Sequence, residues 1–121
     1  MINGNKCVTF KKMIEIREYI DRGGDSPYAK WFDLLNAPAA AKVVTALVRM
    51  EQGNLSNTKG VGAGVFECGI DFGPGYRVYF GKDGDTLIIL LGGGTKKRQQ
   101  KDIEDARTMW KEYKRRKQQE R

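Results

Sequence analysis

The sequence predicts an α+β domain in the order β-α-α-β-β-β-α, a largely antiparallel sheet with helices packed on one face. Three observations predict it. Residues 74–92 hold two strand-like runs around Asp83-Gly84. Asp-Gly between such runs predicts a two-residue type I′ hairpin turn, because both central residues take φ > 0. Two helical segments with start signals lie between an early strand and this region. A single apolar helical stripe follows it.

In chain order, Ile14, Ile16 and Ile20 alternate with Glu15, Arg17 and Tyr19, which reads as a strand ended by Arg22-Gly23-Gly24-Asp25. Ser26-Pro27 starts a helix, with the serine as N-cap and the proline in the first turn. That helix runs to about Leu35. Asn36-Ala37-Pro38 begins a second, whose Ala40, Val43, Val44, Leu47 and Val48 share one face. Gly53 ends it in the left-handed capping role. Residues 53–64 read as a glycine-rich loop carrying Lys59. The loop lacks the glycine and lysine order of a P-loop.

Phe66, Cys68, Ile70 and Phe72 alternate with Glu67, Gly69 and Asp71, a half-buried strand. A three-residue turn at Gly73-Pro74-Gly75 sets Asp71 against Arg77 and Gly69 against Tyr79. In the next strand Tyr76, Val78 and Phe80 alternate with Arg77 and Tyr79, whereas Leu87 to Leu91 is apolar throughout. The second pattern suits a central strand covered on both faces. A two-residue turn at Asp83-Gly84 pairs Phe80 with Leu87, Val78 with Ile89, Tyr79 with Ile88 and Arg77 with Leu90. Gly92-Gly93-Gly94 ends the strand. The last helix spans about Gln100 to Arg116, with Ile103, Ala106, Trp110 and Tyr113 in one stripe and Lys114 onward in solvent. The sheet face turned from the helices then displays Arg17, Tyr19, Glu67, Asp71, Arg77 and Tyr79 to solvent.

Among 121 residues, 22 are basic and 15 acidic, for a net charge of +7. Residues 96–121 hold eleven of the basic and five of the acidic residues. Such a tail suits nucleic acid, a ribosome or an acidic partner. It equally suits a solvated helix whose charges complement its dipole. There is no histidine, and Cys7 and Cys68 form no CxxC pair. These facts exclude common zinc sites, Ser-His-Asp triads and Cys-His dyads. No metal or cofactor is expected. No run reaches the roughly 18 apolar residues of a membrane span, and residues 1–12 lack a signal-peptide core, so the expected location is the cytoplasm, away from membranes.

Several stretches resemble one family: Gly53-Asn54-Leu55, Lys59, Gly64-Val65-Phe66-Glu67, the run Gly73 to Phe80, Leu91 to Gly94, Lys96, and Gln100-Lys101-Asp102-Ile103. The chain from Met13 to about Tyr113 resembles the addiction-module killer proteins of the RelE/ParE toxin superfamily, from bacterial type II toxin–antitoxin systems. Members usually open at a position like Met13, so residues 1–12 read as an N-terminal extension and 13–121 as the toxin domain. Cys68-Gly69 stands where members often have Leu-Arg, and Thr95 where they often have an acid.

The resemblance implies a compact fold whose first strand lies beside the last. It implies a toxin held by a cognate antitoxin, expected as a helix-turn-helix protein encoded next door. RelE-type members cut mRNA on the ribosome, whereas ParE-type members poison DNA gyrase. The resemblance alone does not separate these, nor a member that only binds its antitoxin. RNA cleavage by 2′-OH attack needs a base, a stabiliser of the crowded phosphate and a proton donor. Without histidine these roles fall to Lys, Arg, Tyr, Asp or Glu. Arg77 matches the family's strand arginine and is assigned the phosphate. Lys59 and Lys96 serve as base or electrostatic groups, and Tyr79 as a stacking or proton-relay group. Glu67 serves as base or as the acid that buttresses Arg77. Arg17, Lys97, Arg98 and Lys101 are the expected RNA contacts.

Overall fold

The computed structural model describes residues 13–120. The expectations for residues 1–12, Cys7 included, lie outside them. The elements are β1 (Glu15–Glu18), α1 (Pro27–Asp33), α2 (Ala37–Glu51), β2 (Thr58–Gly62), β3 (Val65–Ile70), β4 (Tyr76–Lys82), β5 (Leu87–Thr95), a 3-10 turn (Lys96–Arg98) and α3 (Gln99–Gln119). One five-stranded sheet has the order β1-β5-β4-β3-β2. β1 runs parallel to β5, first strand beside last, and the other pairs are antiparallel.

The helix boundaries follow their caps. The Ser26 hydroxyl oxygen accepts from the Ala29 N–H at 3.0 Å, and Asn36 Oδ1 accepts from the Ala39 N–H at 2.9 Å. Each satisfies a first-turn donor that has no helical partner. Gly53, at φ 88°, ends α2. Its N–H reaches the Met50 carbonyl and the Asn54 N–H reaches that of Arg49, both at 2.9 Å, the paired bonds of a Schellman motif.

Residues 58–62, expected as loop, form the edge strand β2. An edge strand pairs on one side only, so glycines and a bulge between Gly60 and Gly62 are accommodated there. Arg107 of α3 ties it down by donating to the Val61 carbonyl.

Both hairpin registers differ from expectation. The Asp83 N–H donates to the Leu87 carbonyl at 2.8 Å, closing a longer turn in which Gly84 takes φ 76°. Phe80 therefore faces Leu90 rather than Leu87. Beyond a bulge at Leu91, Tyr79 faces Gly92, Val78 faces Gly93 and Arg77 faces Gly94. The three glycines continue β5 instead of ending it. The β3–β4 connection spans five residues, so Arg77 faces Gly69 and Tyr79 faces Glu67. Asp71 lies beyond the strand and is not the partner of Arg77.

Helices cover both faces of the sheet, not one. α1 and α2 cover Cys68, Ile70, Val78, Phe80, Ile88 and Leu90. α3 lays Ile103, Ala106 and Trp110 on Val65, Tyr79, Ile89 and Leu91. The reason is visible in β5: a strand apolar at every position needs cover on each side. Tyr19, Glu67 and Tyr79, expected in solvent, are consequently buried. The end of α3 is also tethered rather than free. Arg116 donates to the Ile20 carbonyl at 2.6 Å, the Tyr113 hydroxyl donates to Asp83 at 2.7 Å, and Lys117 pairs with Asp83. Cys68 is a free, buried thiol, and burial pushes its pKa up. No described helix is long and apolar enough to cross a membrane.

Candidate functional site

The site grows from the β2–β3–β4 register. Lys59 lies opposite Glu67, and Glu67 opposite Tyr79. Arg77, two residues along β4 and opposite Gly69, leans back toward Glu67. Arg77 Nη1 donates to Glu67 Oε2 at 3.3 Å. Lys59 Nζ stands 3.7 Å from the same oxygen. Gln99, the first residue of α3, donates from Nε2 to Glu67 Oε1 at 3.0 Å.

Glu67 keeps 2 % exposure. A carboxylate so buried needs compensating charge and hydrogen bonds, and these three side chains supply them. Arg77 keeps 18 % exposure, and its Nε is buried without a hydrogen-bond partner among the described residues. A guanidinium held on one side with part of its fork exposed can receive phosphate oxygens.

The cations expected near Arg77 divide into two groups. Lys96, Lys97 and Arg98 are exposed on the 3-10 turn that leads into α3, with Lys101 one turn on, paired with Asp105 at 3.0 Å. The turn joins β5 just after Gly94, which faces Arg77, so this group borders the site. Arg17 is not brought in. It lies on β1 opposite Ile89, five residues along β5 from Gly94, and pairs with Glu15 at 2.5 Å.

Tyr79 is adjacent to the cluster but 1 % exposed, which leaves no ring face for a base to stack on. Its hydroxyl has no hydrogen-bond partner among the described residues. Burial first, then the nearby Glu67 and Asp102 carboxylates, raise its pKa to about 12, against a smaller opposing pull from Arg77. The phenol stays protonated at neutral pH and is not a phenolate base.

Sequence reasoning missed Gln99 and Asp102. Gln99 was hidden because its partner lies 32 residues away and the register that brings them together was not legible. Asp102 was named only within the family-like run Gln100 to Ile103 and as an acid near the helix start, with no role at the site. Its carboxylate lies against Gly94, where any Cβ would collide with it, and burial raises its pKa more than Arg98 lowers it. A hint was present: three glycines in succession mark close approach by something. No group of three or more His, Cys, Asp or Glu among the described residues is arranged to hold a metal ion.

No family model matches the chain. Over 86 residues, covering 70 % of this chain and 87 % of the relative, the sequence is 41 % identical to an uncharacterized protein of Haemophilus influenzae. Likeness of that extent establishes common family membership, and the chain belongs to the family of this Haemophilus protein.

Proposed function

We propose that the protein is the toxin of a bacterial type II toxin–antitoxin system of the RelE/ParE superfamily, and that it acts by cleaving mRNA on the ribosome. The observation that carries this reading is Arg77: a partly exposed mid-strand guanidinium held by a buried carboxylate, with a rim of lysines and an arginine beside it. When a 2′-oxygen attacks the adjacent phosphate, the non-bridging oxygens gain negative charge. A cation fixed beforehand stabilises that state more than the ground state, which lowers the barrier itself.

In this reading Glu67 is the buttress and not the base, since both its oxygens already accept from Arg77 and Gln99. Lys59 adds positive charge at the β2 edge. Lys96, Lys97 and Arg98 guide the backbone of the strand. A cognate antitoxin, expected as a helix-turn-helix protein encoded beside the toxin, holds the protein inactive in its own cell.

The test is induced expression with mapping of mRNA 5′ ends, and plasmid supercoiling followed in parallel. New 5′ ends within translated messages, appearing before any change in supercoiling, are the expected result. Intact messages with lost negative supercoiling would replace this reading with contact on DNA gyrase.

A further inference from the structure

Between α2 and the end of β3 lies a cleft of about 260 Å³. That is close to the lower end of ligand pockets, about 300 Å³, so it fits one small ligand unit and not an extended chain. Its floor is apolar and buried: Met50, Cys68 and Ile70. Lys42 and Arg49, both basic residues of α2, stand seven apart on one helix face and open into it. Neither has a carboxylate within 4 Å among the described residues. Lys42 instead rests over the Phe72 ring, 5.6 Å from its centroid. Asn54 Oδ1 accepts from the Ser56 N–H at 3.1 Å and from its hydroxyl at 2.7 Å, and the Asn54 NH₂ has no hydrogen-bond partner among the described residues. Asp71 closes the rim as an exposed acceptor.

An apolar floor, two cations with no carboxylate partner among the described residues, amide donors and one carboxylate match the parts of a single nucleotide. We propose that this cleft binds one nucleotide, its phosphate on Lys42 and Arg49 and the donor edge of its base on Asp71. A carboxylate accepts from base N–H groups, so guanine, with two adjacent donors on its Watson–Crick edge, is the preferred base. The cleft adjoins the Arg77 site. Thr58 and Gly69 line it; Thr58 precedes Lys59, and Gly69 faces Arg77. An RNA strand with a phosphate at Arg77 therefore places a neighbouring nucleotide here. That last step rests on the RNA-cleavage reading; the nucleotide site itself does not.

The test is a titration of the isotope-labelled protein with guanosine 5′-monophosphate, followed by amide chemical shifts. Saturable shifts are expected at Asn54, at Asn57, which also lines the cleft, and at Gly69. The double variant Lys42→Ala/Arg49→Ala should weaken binding by about tenfold or more, as loss of charge-assisted bonds does. Arg77→Ala should weaken it less than the double variant does, because the phosphate is held by Lys42 and Arg49. Asp71→Asn should level the preference for guanosine over uridine 5′-monophosphate. Absence of saturable shifts, or shifts centred on Arg77 and Lys59, would overturn the site. If the nucleotide binds here while expression leaves messages uncut, the site stands and free nucleotide replaces RNA as its source.

Discussion

Arg77 meets Glu67 at 3.3 Å, and Glu67 has three side chains directed at it while keeping 2 % exposure. Removing the carboxylate strands Arg77 in a partly desolvated position and opens a cavity under Gln99. Glu67→Ala should therefore cost about 3 kcal/mol, the scale of breaking a buried pair. Asp71→Ala should stay within about 0.5 kcal/mol, as surface changes do. Urea unfolding of both variants separates them, and equal losses would mean that the Glu67 contacts contribute nothing of their own. The alternation of β3 and β4 correctly put an acid beside Arg77 on one face. It could not say which acid, because a slip of two residues preserves the face, sets Gly69 rather than Asp71 opposite Arg77, and leaves Glu67 as the diagonal neighbour within its reach.

Elements that carry their own punctuation were legible in the sequence. Ser26, Asn36 and Gly53 cap the helices where their local chemistry requires, and the stripe Ile103, Ala106, Trp110 is the buried face of α3. Turn length was not legible, because Asp83-Gly84 fits a two-residue turn and also the start of a longer one. β2 was hidden since Thr58-Lys59-Gly60-Val61-Gly62 has no apolar alternation, an edge strand having little to bury. The glycines of the sheet explain how helices reach both faces. Trp110 lies on Gly81 and Trp31 on Gly93, each ring where a Cβ would collide, whereas Gly92 has open space around it. Gly81→Ala and Gly93→Ala should each cost about 1–3 kcal/mol by overpacking, and Gly92→Ala close to nothing. Thermal unfolding reads the difference; a tolerated Gly81→Ala would mean that Trp110 does not lie on β4.

Across the whole molecule, Arg22–Glu112 and Lys117–Asp83 tie the end of α3 to the body, and Glu112 also anchors two arginines of its own helix. Glu112 receives Arg115 and Arg116 at 2.7 and 2.9 Å, with Arg22 at 3.4 Å, and hydrogen bonds from Arg115 and Arg116 bring its pKa down to about 2. A carboxylate depressed in the folded state stabilises it above the unfolded pKa of about 4.3. That contribution shrinks as pH falls from there through about 2. Melting temperatures of wild type and Glu112→Gln should thus differ at pH 7, converge near pH 2 and approach each other in 1 M salt. A gap that persists at pH 2 would show that the charge on Glu112 is not its source.

The same fold brings Lys59, Glu67, Arg77 and Gln99 from three strands and a helix start to one point. The account holds that this point acts on phosphate through Arg77. Growth after induction of Arg77→Ala tests that most directly, with circular dichroism and melting on the purified variant. The account predicts that growth arrest is abolished in a protein that remains folded, and that Arg77→Lys restores only part of it, because a point charge does not reproduce the fork. A folded Arg77→Ala protein that still arrests growth fully would contradict it.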